Sequence, residues 1–260
     1  MHAAPQSLIV LEMPITKNYL VCATHRSGSN LVCQALWHTD LCGRPQEFFS
    51  PTRASHISAE HGLSADPAVD YPGYLSELIA SRRTANGVFG GKIMWAHLKH
   101  FRNGALSDQP ESTSDAALLR QQFGEDLRCI WARREDKLRQ AISMWKAKQT
   151  NIYNSIQTSA NERQIPERQP TFDFEEIQKI LIRFEKEERA WEEFFNDSQL
   201  PYRAVTYETF VGRYQDETRE LVQFLGIDIP SGFEVAPTTY TKLADSTNDD
   251  WYQRFQELSS

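Results

Sequence analysis

Short apolar runs alternate with helically spaced apolar stripes along this chain. Tyr19-Leu20-Val21-Cys22-Ala23 is a continuous apolar run ended by a Gly/Ser turn, the pattern of a buried parallel strand. Leu31, Val32, Ala35 and Leu36 then recur at helical spacing, so residues 19–38 read strand, loop, helix. Gly87–Trp95 and Leu127–Ala132 read as second and third strands. Leu138, Ala141, Ile142 and Trp145 at i, i+3, i+4 and i+7 predict a helix after the third, with Asp136 as its N-cap. From Phe174, apolar residues repeat at steps of three and four through Ile177, Leu181, Phe184 and Trp191, with Glu188 in one apolar slot. Lys186, Glu187 and Arg189 on the other faces read as solvated. Tyr202–Tyr207 predicts a fourth strand, and Thr218–Leu225 a helix stopped by Gly226. Asn103–Asp115 and Asn161–Pro170 are polar stretches that read as loops, the first a mobile one. Strands between helical patterns argue for βαβ units and a mostly parallel sheet.

The bulk numbers fit this picture. A chain of 260 residues suits one α/β domain spanning 1–260 and can bury a core without disulfide or metal staples. The 40% hydrophobic and 11% aromatic content belong to a folded protein. A net charge of -7 argues against nucleic acid as a partner, since that needs a broad basic field. Cys22, Cys33, Cys42 and Cys129 match no zinc or disulfide framework; Cys22 and Cys129 fall in predicted strands and read as small buried residues, which favours a reducing compartment. There is no apolar run of transmembrane length, and the first seven residues lack the positive charge of a secretory signal, while Glu12 interrupts the apolar stretch after them. The expectation is a cytoplasmic protein.

Three segments carry candidate chemistry. His25-Arg26-Ser27-Gly28-Ser29-Asn30 joins a strand to a helix, where unpaired N–H groups, small residues, hydroxyls and Arg26 can hold a phosphate or sulfate. No lysine follows Gly28, so this is not a Walker A loop, and an ordinary polar turn remains the alternative. Arg133-Arg134 ends the third strand ahead of a helix carrying Gln140 and Ser143. Ser143 lies opposite the apolar stripe and so is available to a ligand, although a surface arginine pair matched to Glu135 and Asp136 fits equally. Pro45-Gln46-Glu47-Phe48-Phe49 sets a carboxylate among aromatics. Desolvation there would raise its pKa and make it a better base; a glutamate beside core phenylalanines is the alternative.

Together these segments, with Gly87–Trp95 and Gln140-Ala141-Ile142-Ser143-Met144-Trp145, resemble the bacterial trehalose sulfotransferase family of PAPS-dependent carbohydrate sulfotransferases. Asp249-Asp250-Trp251 is a weaker match. The resemblance implies a P-loop-like three-layer α/β fold, with a mostly parallel central sheet and flanking helices. It implies transfer of a sulfuryl group from PAPS to a hydroxyl of trehalose, another sugar or a glycolipid, leaving PAP, without a metal. By it, Arg26, Ser27, Gly28, Ser29 and Asn30 bind the 5′-phosphosulfate, with Arg26 also catalytic. Arg134 and Ser143 bind the 3′-phosphate, although Arg133 competes for that place. Glu47 is the base. Sugar sites are typically aromatic and polar, so Phe48 and Trp95, with Trp37 and Phe49, are candidates to meet the acceptor beside Glu47, and each fits the core equally. A homodimer is also implied. Asn30 stands where the family usually carries Thr or Ser. A P-loop kinase or NTPase, and a non-catalytic PAP-binding regulator, are the competing readings.

Overall fold

The computed structural model describes residues 17–105, 110, 112–153, 169–238 and 245–260. The readings of the first residues and most of Asn161–Pro170 lie outside these. Four parallel strands form one sheet: β1 (Lys17–Ala23), β2 (Val88–Met94), β3 (Arg128–Arg133) and β4 (Tyr202–Thr206), ordered β2-β1-β3-β4. Each begins and ends within two residues of the apolar run that predicted it.

Alternation along the strands divides the core. Leu20, Cys22, Phe89, Ile93, Cys129 and Trp131 face one side, covered by α3 (Tyr71–Ser81), α4 (Trp95–Ala105), α5 (Asp115–Phe123) and α7 (Phe174–Ser198). Tyr19, Val21, Ala23, Ile130, Ala132 and Val205 face the other, covered by α1 (Ser29–Trp37), α8 (Tyr207–Gly212) and α9 (Tyr214–Phe224). The result is the expected three-layer α/β fold. A third apolar cluster joins α6 (Lys137–Thr150), α7 and α10 (Ser246–Ser259). Asp136 caps α6, its carboxylate accepting from the Arg139 N–H at 2.8 Å. All four cysteines are unpaired and buried. No described helix is long and apolar enough to cross a membrane.

Several expectations change. Glu187 is buried, not solvated, and Glu188, in its apolar slot, is buried as an ion pair with Arg133 at 2.7 Å and Lys137 at 2.8 Å. The Asn103–Asp115 stretch is partly helical: Asn103 to Ala105 end α4 and Asp115 opens α5, which Ser114 caps. α9 starts at Tyr214 rather than Thr218, its first turn being polar and acidic. The short α2 (Ala54–Glu60) was invisible to periodicity.

This topology positions a site. The chain leaves β1 for β2 on one side and then crosses back to β3 on the other side of β1, so the strand order reverses there. The loops after β1 and β3 therefore flank a crevice at the carboxyl ends of the strands, where ligands of open α/β sheets bind. Trp191, fully buried on α7, donates to the Ala23 carbonyl at 3.0 Å and secures the last residue of β1.

Candidate functional site

The loop between β1 and α1 has an unusual backbone. Arg26 has φ 64 and Gly28 φ 90, both left-handed; such a conformation in a non-glycine residue is uncommon and marks stored strain. Gly28 is the N-cap of α1 and has no side chain to cap its first turn. The early N–H groups and the positive end of the helix dipole are thus presented at the mouth of the crevice. Ser27 is buried, and its Oγ has no hydrogen-bond partner. A buried hydroxyl of this kind suits an anion oxygen. A Cβ on Gly28 would lie 2.7 Å from Tyr207 Cδ2 and 3.2 Å from Tyr207 Cβ, so the loop fits only with glycine there. Tyr207 follows β4 directly and opens α8.

The second segment is laced to the first. Gln140, fully buried on α6, donates to Thr24 Oγ1 at 2.8 Å and to the His25 carbonyl at 2.7 Å. Arg26 Nε donates to Ser143 Oγ at 2.9 Å, and its Nη1 donates to the Tyr153 carbonyl. Ser143 is therefore engaged by Arg26, where an independent ligand contact was expected; its own hydroxyl proton can still be donated. Arg134 lies with its guanidinium 4.9 Å from the Tyr207 ring centroid and its Nε 3.9 Å from Glu208, with no hydrogen bond to Nε. Burial lowers its pKa, against the pull of Tyr207, Glu208 and Asp136, and a guanidinium in a protein stays charged. Arg133 instead stacks over Trp131 and is neutralised by Glu188. Both arginines border an open groove of about 560 Å³ with Lys137, Glu188 and Arg189. Tyr207 thus touches the loop on one side and Arg134 on the other.

The third segment runs beside β2. The Gln46 carbonyl accepts from the Lys92 N–H at 2.8 Å and from the Phe48 N–H at 2.9 Å. Phe48 and Phe49 are fully buried, Phe48 stacked with Phe89 and Phe49 edge-on to Phe101 and Phe123. Phe48, expected to meet the acceptor, therefore belongs to the core. Gly91 makes room for Phe49, whose ring carbons lie 3.0 Å from where a Cβ would sit. With both neighbours anchored, Glu47 is held between cationic and imidazole groups. Its Oε2 is 3.1 Å from Lys92 Nζ and its Oε1 3.3 Å from His97 Nδ1. Lys92 Nζ also donates to Asn30 Oδ1 at 2.6 Å, connecting the carboxylate to the loop.

Burial pushes the Glu47 pKa up, but Lys92, His25 and His97 together outweigh it and hold the carboxyl below its ordinary range. This reverses the expectation drawn from the flanking aromatics: the group is an ionised carboxylate, and a weaker base than anticipated. Burial lowers the His25 pKa to about 4 and also lowers that of His97. The two rings meet edge to face, with centroids 5.6 Å apart.

Of the aromatic candidates, Trp95 opens α4, is half-buried and packs edge-on to Trp191 at 4.9 Å. Trp37 sits at the opposite end of α1 from the loop, below Arg44. Sequence reasoning assigned no role to His25, His97 or Tyr207. Tyr207 could have been found as the residue ending a predicted strand; nothing in the pattern marks His97.

A family model described as Stf0 sulphotransferase matches residues 18–258. A trehalose 2-sulfotransferase of Mycolicibacterium smegmatis is 27% identical, over 92% of this chain and 94% of its own. A trehalose 2-sulfotransferase of Mycobacterium tuberculosis is 24% identical over the same shares. Among solved structures, a mouse sulfotransferase complexed with PAP has a TM-score of 0.45 at 13% identity, covering 94% of this chain and 67% of its own.

Proposed function

The chain belongs to the Stf0 sulphotransferase family, and on that premise we propose that it transfers a sulfuryl group from PAPS to a hydroxyl of a carbohydrate, trehalose or a trehalose-containing glycolipid foremost. The observation that carries this reading is the chain of contacts Glu47–Lys92–Asn30, which puts an ionised carboxylate one lysine away from an anion-binding loop. PAPS supplies the activated sulfuryl group and PAP is its leaving half. Arg26, Ser27, Gly28, Ser29 and Asn30 hold the phosphosulfate end; the orphaned Ser27 hydroxyl and uncapped first turn of α1 fit such a group. Arg134 holds the 3′-phosphate, because its Nε is without a hydrogen-bond partner whereas Arg133 Nε already donates to Glu188 at 2.7 Å. Ser143 contributes through Arg26, which it orients. Glu47 takes the acceptor proton, and Trp95 offers the sugar an apolar face. Lys92, Arg26 and the loop N–H groups stabilise the charge that develops as the bond to sulfur changes hands, so most of the catalysis is positioning and electrostatics.

Radiolabelled PAPS offered with trehalose, other disaccharides and glycolipids tests the whole reading. Label is expected on a sugar. Tight PAP binding with no sulfated product across the panel would make the chain a non-catalytic binder. Mg²⁺-dependent ATP turnover would make it a kinase or NTPase.

Two further outcomes are expected. Lys92→Met removes the main cation opposing desolvation of Glu47, so its pKa rises. The base must be ionised to work, so the acid limb of the kcat/KM profile moves to higher pH. A limb that stays in place or moves down would separate Lys92 from the base. Arg134→Ala should weaken PAP binding by about 10- to 100-fold, the worth of a charged hydrogen bond. Adenosine 5′-phosphosulfate, lacking the 3′-phosphate, should lose little. Equal losses measured by calorimetry would remove Arg134 from the 3′-phosphate.

A further inference from the structure

His25, Glu47 and His97 each bring one ligand atom to a common space, all three atoms lying within 4.8 Å of one another. Among the described residues it is the one such group of three His, Cys, Asp or Glu. The residues come from three separately anchored places: the loop after β1, the segment beside β2 and the first turn of α4. The two oxygens of Glu47 are divided between partners, Oε2 toward Lys92 and Oε1 toward His97. His97 Nδ1 is buried and makes no hydrogen bond, although it stands 3.3 Å from Oε1. A ring nitrogen and a carboxylate oxygen so placed, without hydrogen-bond geometry, are two lone-pair carriers turned toward one position. Two tetrahedral zinc ligands at about 2.0–2.1 Å from the metal are about 3.4 Å apart, the separation this pair already has.

The geometry points to a divalent transition-metal site of the zinc class formed by His25, Glu47 and His97. Two imidazoles and one carboxylate suit zinc, whereas calcium and magnesium call for more oxygen ligands. Three protein ligands leave one position open, as in sites that exchange their fourth ligand. Closing a pair at the full 4.8 Å to about 3.4 Å requires about 1.4 Å of side-chain adjustment. Lys92 is compatible with this arrangement: it binds the other carboxylate oxygen and becomes an outer-shell donor, with Asn30 as its second partner. Its charge makes the site weaker than a closed four-ligand structural zinc site. One consequence rests on the reading of Glu47 as the base: metal on Oε1 lowers the proton affinity of the carboxylate that would take the acceptor proton, so bound zinc should inhibit sulfuryl transfer reversibly.

Cobalt(II), a spectroscopic stand-in for zinc, tests the site on the full chain after chelator treatment. Visible d–d bands should saturate at about one equivalent, and zinc should abolish them. Paramagnetically shifted imidazole resonances should come from two histidines of the wild-type protein, a readout that needs no variant. His25→Gln and His97→Gln should each weaken cobalt binding by about tenfold or more, with retained PAP binding showing that the fold survives. Absence of bands, thiolate charge-transfer bands that place cobalt on a cysteine, or binding unchanged in both variants would overturn the site. Inhibition is assayed separately. If cobalt binds as described but saturating zinc leaves turnover intact, the site stands and Glu47 is not the base. If no metal binds, the site fails and the base assignment is untouched.

Discussion

Glu47→Gln is expected to lower kcat by on the order of 10²–10⁴ while PAP affinity stays within a few-fold of wild type. The substitution keeps size and hydrogen-bonding shape but removes the lone pair that can take a proton. Donor binding should persist because Lys92 keeps its bond to Asn30 and the loop is otherwise untouched. Stability is the competing explanation. Removing one partner of a buried ion pair costs about 3–5 kcal/mol, and Lys92 is only 5% exposed. Because Lys92 retains Asn30 and Glu47 is not fully buried, the cost here should be smaller, and urea unfolding measures it. A folded variant with intact PAP binding and lost turnover identifies a chemical defect. Turnover within about threefold of wild type would remove Glu47 from the role of base. The depressed Glu47 pKa also fixes what the carboxylate can contribute. It is ionised across the neutral range, but its proton affinity is small, so under the proposed role as base proton transfer would come late, as the acceptor oxygen becomes acidic on approaching sulfur. Lys92, which lowers the proton affinity of the carboxylate, also stands next to the loop proposed to hold the donor.

What was legible in the sequence, and what was not, follows from how local each signal is. β1, β2 and β3 are largely apolar and buried by helices on both faces, so their runs locate them, whereas the edge strand β4 buries only Val205 and shows as a short mixed segment. α6 and α7 announce themselves by an N-cap and by long periodicity. α2 and α8 have seven and six residues, too few for a period to emerge. Glu188 looked like a polar interruption of a stripe, and is buried because Arg133 and Lys137, more than fifty positions away, come to meet it. The site divides in the same way. The loop reads clearly because a strand, a glycine and a helix start are sequence neighbours. The Glu47 environment does not, since Lys92, His97 and His25 arrive from β2, α4 and the β1 loop. Flanking phenylalanines suggested a raised pKa, but their rings turn into the core and leave the carboxylate with cations and imidazoles. The family motif placed Lys92 in a matched segment, and only the fold assigns it two partners.

The second large effect belongs to Gly28. Gly28→Ala should weaken PAP binding by on the order of 10²-fold, more than its effect on overall stability would suggest. Two costs combine. An alanine at φ 90 stores about 1–3 kcal/mol of backbone strain. Its Cβ also meets Tyr207 at 2.7 Å on the ring and 3.2 Å at Cβ, and overpacking of this kind costs about 1–3 kcal/mol more. Contact near the Tyr207 backbone means that rotating the ring cannot relieve it; α8 or the loop must shift. Either movement falls on the proposed donor site. A shifted loop misdirects the N–H groups at the start of α1, and a shifted Tyr207 moves the ring on which Arg134 rests. Pairing Gly28→Ala with Tyr207→Ala separates the two costs. The second change removes the 2.7 Å ring contact but keeps the 3.2 Å contact at Cβ and the positive φ, so Gly28→Ala should cost less affinity in the Tyr207→Ala background than in the wild type, though not nothing. Coupling of this sign is expected only for residues in direct contact. Additive losses would mean that Tyr207 does not transmit the clash, and PAP affinity within about threefold of wild type in Gly28→Ala would mean that the loop tolerates a side chain and does not closely enclose the donor.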